Sequence, residues 1–409
     1  MGNGEAKDTS PSAWMHGFPP ALDRRVRFSD GSFLKYPQSR WSFNNMEQLV
    51  PTKAVWRGGG AVRDLSAGDP LFAADIERDT RLETLDGRGL SFEAALVESD
   101  TDALLVLHHG RVVYERYFGA CGPHVRHTMM SCNKSMIGTL AECLISDGLL
   151  DDAGLVPDII PELGGSAWGD ATVRHVLNMV IGMEFSEDYL DRSSDVWRFL
   201  RSTGMIPANA EADGAIADVL PTIGKAGQHG QAFAYREPNI FVLGWILRRV
   251  AGVDVATLAS ERIWQHLGAE HDWLYMVDPS GAETTALATA RDFARFGQLI
   301  CDRGLVDGHQ VIPPTAIEAV LAGGDIDVFA RGDRELPDTW SYRSQWWYRH
   351  RDDRVCPVAR GAQGQLLYID PVNELVIARY ASPRMLPPET FDNLWWPIVD
   401  MVTAAATTD

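Results

Sequence analysis

Apolar positions along the chain follow two different periods. The stretch ALLVLHHGRVVYERYFG, at 103–119, places two runs of strand-forming residues on either side of a Gly-containing turn, and GQLLYIDPVNELVIARYAS, at 364–382, repeats the arrangement around DPVN. Both predict β-hairpins. Between them the spacing lengthens to that of helices. Met136, Leu140 and Leu144 form one apolar stripe that Gly148 should end. Val173–Met179, Val196–Leu200, Ile240–Val250 and Ala288–Ile300 continue the theme, and Phe391, Leu394, Trp395, Ile398 and Met401 mark a last helix over 389–404 that Pro397 should kink. Residues 1–60 show no clear period and end in GGG at 58–60, so they read as an irregular arm over the core. The hairpins flank the helical region. The expected fold class is therefore α/β (α+β): an antiparallel sheet made from both flanks, helices packed on it, and a mainly helical lobe inserted at about 150–285. The arm is assigned to 1–84 and the main domain to 85–409.

Charge narrows the partners. Against 56 Asp and Glu there are 37 Lys and Arg, a formal net charge of -19 with no long basic run, which excludes nucleic acid and anionic membrane as natural partners. The opening MGNGEAKDTSPSAW lacks the apolar core of a signal peptide, and runs such as ALLVL are too short to span a bilayer, so a cytoplasmic location is expected. Cys121, Cys132, Cys143, Cys301 and Cys356 are widely spaced without a CxxC pair, which fits reduced thiols. The pairs His108–His109 and His124–His127 match no metal-ligand spacing, so neither metal nor cofactor is expected.

The candidate chemistry lies in TMMSCNKSMIG at 128–138, where Ser131 and Lys134 stand three apart as a helical run begins, on one helix face. A serine hydroxyl is a weak nucleophile without an adjacent base. A lysine can be that base once desolvation and the positive end of a helix dipole have lowered its pKa. Alone, the pair more often marks a helix cap followed by a surface lysine; context adds Tyr235, about a hundred residues downstream in QAFAYREPNIFVLGWILRRVAG. Cys132 would point about 100° away from Ser131 on a helix, toward packing.

With SCNK at 131–134, FAYREPNIFVLGW at 233–245, TARDFARFGQL at 289–299, YRSQWWY at 342–348 and GAQGQLLYIDP at 361–371, the chain resembles the penicillin-recognising, class C β-lactamase-like serine hydrolases, and within them the 6-aminohexanoate-dimer hydrolase group. RWSFNNMEQLVPT, at 40–52, is similar to the arm that precedes the catalytic region in that group. The resemblance implies a β-lactamase-like fold and acyl transfer, with Ser131 attacking an amide or ester carbonyl, Lys134 taking its proton and Tyr235 relaying a proton to the leaving amine. It implies an oxyanion hole of the Ser131 and Ala362 amides, with Gly361 permitting close approach, and Tyr189 on a loop over the substrate. Asp191 and Asp195 are acidic residues that follow near that loop. Glu237 and Trp346, the latter with Trp347 and Tyr348, are expected to border the substrate. The chain departs from the family pattern twice: Glu237 replaces the asparagine of Tyr-x-Asn, and Ala359-Arg360-Gly361 replaces Lys-Thr-Gly. Both departures move β-lactams to second rank. The expected function is hydrolysis of a small-molecule amide or ester, with a homodimer as an allowed assembly. The alternatives are a carboxylesterase, a β-lactamase or DD-peptidase-like enzyme, and a catalytically idle ligand-binding homologue.

Overall fold

The two predicted hairpins meet edge to edge in the computed structural model, which describes residues 13–71, 80–189, 191–207, 214–332, 336, 339–351, 354–384 and 388–407. Thr101–His108 pairs with Arg111–Tyr117, Gln365–Asp370 pairs with Leu375–Ala381, and Leu375–Ala381 lies antiparallel to Thr101–His108 with Val376 opposite Leu107. Trp340–Arg343, Trp346–Arg351 and Arg354–Gly361 extend this into a seven-stranded antiparallel sheet. Leu104, Val106 and Ile377 face one side of it, Leu105, Leu107 and Val376 the other, and both sides are buried. That double burial explains the unbroken apolar run ALLVL. Helices Asn133–Ser146 and Ala290–Cys301 cover the first-named cluster's opposite face, together with Leu105, while Phe92–Glu98 and Pro388–Ala406 pack with Leu104 and Val106. Pro397 lies inside the last helix, as expected.

Three boundaries differ from the sequence reading. The arm contributes a strand, Thr52–Val55, to a second sheet whose order continues with Trp273–Val277, Glu283–Ala288 and His127–Met130. The mainly helical region 150–285 accordingly also holds strand residues near its end. The helix expected from Ala288 starts at Ala290, because Thr289 caps it by accepting a hydrogen bond from the Asp292 amide. Four- to six-residue strands such as TKAV and ETTALA are too short to show a period, and only their pairing defines them.

The helix Asn133–Ser146 is buried along its first three turns. Its Gly138 sits so close to the turn before Trp346 that an added Cβ would lie 2.0 Å from the Ser344 carbonyl oxygen. Gly138→Ala is expected to cost about 3 kcal/mol in a denaturant titration, the upper end of ordinary overpacking. A midpoint equal to wild type would show that this turn yields freely.

Candidate active site

Ser131 sits on a sharp strand-to-helix junction. The strand His127–Met130 is anchored by its buried His127, whose Nε2 lies 3.0 Å from Asp102, and Asp102 in turn pairs with Arg40 at 2.9 Å. Met130 ends the strand in the left-handed region, at φ 47°. Such a conformation in a non-glycine residue costs on the order of 1 kcal/mol and is common where a site must be presented. The Thr285 hydroxyl donates to the Met130 carbonyl at 3.2 Å and holds the bend. Ser131 follows, and the helix begins two residues later at Asn133.

Lys134 is buried, and its Nζ donates to Ser131 Oγ at 2.8 Å. The same Nζ lies 3.0 and 2.9 Å from the two carboxylate oxygens of Glu237, also buried. Burial by itself lowers the lysine pKa, but Glu237 and then Tyr235 together outweigh it and raise it. The expectation of a depressed lysine is thus reversed: in the resting site Lys134 is an ammonium. A second correction follows. Glu237, expected beside the substrate, has both oxygens turned to Lys134, and its backbone N–H donates to Glu187 at 2.9 Å.

Tyr235 completes the cluster. Its hydroxyl is within hydrogen-bonding reach of Ser131 and Lys134, and Lys134 Nζ lies 5.3 Å from the ring centroid. Burial raises the phenol pKa beyond what Lys134 offsets, so Tyr235 is neutral and able to donate a proton. The ring stacks on Trp347 at 5.4 Å and meets Tyr342 edge-on at 6.1 Å. Trp346, expected in the pocket wall, is corrected to the core: it is 0% exposed, donates from Nε1 to Thr139 at 3.1 Å and stacks on Phe296. Tyr348 shares that side and donates to the Val320 carbonyl at 2.6 Å. Alternation along one strand explains the split, since Trp346 and Tyr348 point to one face and Trp347 to the other.

Gly361 ends its strand where an added Cβ would lie 2.6 Å from the Met129 carbonyl oxygen. Only glycine allows this approach, which brings the following residue, the exposed Ala362, to the strand that carries Ser131. Tyr189 is 39% exposed and donates to Glu187 at 3.0 Å. Glu187 therefore links the Tyr189 loop to Glu237, a role sequence reasoning missed although the residue stands two positions before Tyr189. Asp195 accepts from the Ser186 amide and hydroxyl at 2.8 Å, and Asp191 from Ser193, so both close local turns. Cys132 is buried, as expected of a packing residue, and burial raises its thiol pKa. Among the described residues no helix is long and apolar enough to cross a membrane.

Residues 91–395 match the beta-lactamase family model. The chain is 35% identical over 358 residues to the 6-aminohexanoate-dimer hydrolase of Paenarthrobacter ureafaciens, an alignment that covers 86% of this chain and 87% of that one. A solved structure provisionally described as a 6-aminohexanoate-dimer hydrolase from Bacillus anthracis superposes with a TM-score of 0.80 at 26% identity, over 90% of this chain and 95% of that one. A class C beta-lactamase from Rhodobacter sphaeroides, 18% identical, shares the fold with a TM-score of 0.54 over 76% of this chain and 97% of its own. A serine and a buried lysine in contact at a strand-to-helix bend, in a chain so related, place this protein in the beta-lactamase family of serine hydrolases.

Proposed function

We propose that this protein is an amidase for small linear amides, of the 6-aminohexanoate-dimer type, that works through an acyl-enzyme on Ser131. The observation that carries the reading is Lys134 Nζ, 2.8 Å from Ser131 Oγ and bound on its far side to Glu237. Ser131 attacks the carbonyl carbon as its proton passes to the Lys134–Glu237 pair. Negative charge builds on the carbonyl oxygen, which the Ser131 and Ala362 amides hold. The C–N bond then breaks as Tyr235 donates its proton to the amine, and Lys134 reprotonates the phenolate. Water repeats the sequence on the ester that remains, releasing the acid and restoring the Ser131 hydroxyl.

Linear amides are favoured over β-lactams by the position that replaces Lys-Thr-Gly. Arg360 there is committed to Asp392 at 2.7 and 2.8 Å, so the cation is not offered to a substrate carboxylate. Tyr189 supplies exposed aromatic surface for an aliphatic chain, and the buried Trp347 backs the Tyr235 ring. A cytoplasmic setting, supported by five cysteines none of which is in a disulfide, and a homodimeric state belong to the same proposal.

Hydrolysis of a matched ester and amide panel that includes the 6-aminohexanoate dimer, with intact-mass detection of an acyl adduct, tests the reading. Amide turnover with a transient adduct is expected. Ester cleavage with amides inert would make the protein a carboxylesterase, and neither turnover nor adduct on any member would remove the proposal. Tyr235→Phe is expected to lower kcat/KM on the amide by about 10³-fold and on a nitrophenyl ester by under about tenfold, because only the amine leaving group needs a proton. Equal losses on both substrates would give the hydroxyl a structural role instead.

A further inference from the structure

The buried Lys134–Glu237 pair poses a problem of proton balance. An ammonium cannot accept the Ser131 proton, and the site keeps Lys134 in that form. The other candidate base, Tyr235, is a neutral phenol. Among the described residues, the carboxylate in direct contact with Lys134 is that of Glu237, with both oxygens within 3.0 Å of Nζ. Its geometry is held from two directions: its N–H is fixed by Glu187 at 2.9 Å, and the helix Pro238–Ala251 starts at the next residue.

We infer that Glu237 stores the serine proton during acylation, with Lys134 as the carrier between Ser131 and the carboxylate. The inference rests on the acyl-enzyme reading above and names the final acceptor in it. In the step, an N–H proton of Lys134 passes to a Glu237 oxygen as the Ser131 O–H proton passes to Nζ, and the serine oxygen pair forms the bond to the carbonyl carbon. Lys134 is an ammonium before and after; Glu237 changes from carboxylate to carboxylic acid. When the amine departs with the Tyr235 proton, Lys134 reprotonates the phenolate and Glu237 returns its proton to Lys134. The proton that Ser131 gave up thus leaves with the amine, and none is exchanged with solvent. A neutral side chain at this position could hold the lysine but not the proton. Glu237 is thus a positioning residue with a titrating role, acting on the substrate only through Lys134.

The ionisable groups that face the pair are Tyr235 on the same segment, Glu187 and Tyr189 from the preceding loop, and Tyr342 from the neighbouring strand. Three of the four are phenols whose pKa is raised, Tyr235, Tyr189 and Tyr342, and the fourth, the Glu187 carboxylate, is the same in every protein compared below, so an acid limb that moves on substitution of Glu237 is assigned to the pair.

The test is the pH dependence of kcat/KM on an amide for wild type, Glu237→Gln and Glu237→Asp. In Glu237→Gln the active form needs a neutral Lys134, so the acid limb should move up by about two pH units, with about 100-fold lower activity at pH 6 and most of it recovered in alkali. Glu237→Asp should keep the wild-type limb at a reduced plateau. A uniform loss in Glu237→Gln at every pH, or no change, overturns the inference. A second measurement stands on wild type alone, so a misfolded variant does not leave the question open. A short alkylboronic acid adds to Ser131 and displaces its proton without a leaving group to take it up. Difference infrared spectra of that adduct should show a protonated carboxyl band, and its absence overturns the inference. If Ser131→Ala kept full turnover the acyl-enzyme reading would fall as well; a dead Ser131→Ala with an unshifted Glu237→Gln limb defeats this inference only.

Discussion

Ser131→Ala is expected to lower amide turnover by about 10⁵-fold and to abolish the acyl adduct, while the denaturant midpoint shifts by the equivalent of less than about 1 kcal/mol. The asymmetry comes from the site's construction. Ser131 contributes one atom to chemistry and, to structure, its hydroxyl contacts with Lys134, at 2.8 Å, and Tyr235. The remaining cluster stays satisfied, because Lys134 keeps both oxygens of Glu237. Steady-state kinetics and intact mass on the same preparation check it. Turnover within tenfold of wild type would place the nucleophile elsewhere.

The second large effect falls on stability and activity together. Lys134→Met removes the proton carrier and leaves the Glu237 carboxylate buried without its cation. Turnover should fall by about 10⁴-fold or more. Stability should fall by about 3–5 kcal/mol, since breaking one side of a buried ion pair strands the other charge. The double variant Lys134→Met/Glu237→Gln separates the two effects. It should regain most of the lost stability, because a neutral amide is far cheaper to bury than a carboxylate, and it should regain no activity. Urea titrations of the three proteins give the coupling directly. Additive losses in the double variant would mean that the pair contributes nothing as a pair.

The two charged residues also show why the sequence misleads about the lysine. Desolvation and a helix N-terminus both argue for a neutral amine, and both conditions are met: Lys134 is buried and stands in the first turn of its helix. What decides the matter is a carboxylate 103 residues away in the chain. Against an ion pair at hydrogen-bond distance, the dipole of one helix end, at most about 2 kcal/mol, is the smaller effect.

What the sequence determined by itself is whatever depends on short-range spacing. Two hairpins, the helix carrying Ser131 and Lys134 and its stop at Gly148 were all legible, because a period of two or of 3.6 residues is imposed by backbone geometry within a few residues. Tyr235 was legible only through its place among the family blocks. Tertiary structure alone decided three things. It put Glu237 on Lys134 rather than on the substrate, sent Trp347 to the site and Trp346 to the core, and made Glu187 the brace between loop and helix. Each is a question of which side of an element faces which distant partner. Alternation says that Trp346 and Trp347 point to opposite faces of their strand, yet both faces of this sheet are buried and apolar, so only the helices and loops packed against each face distinguish core from active site.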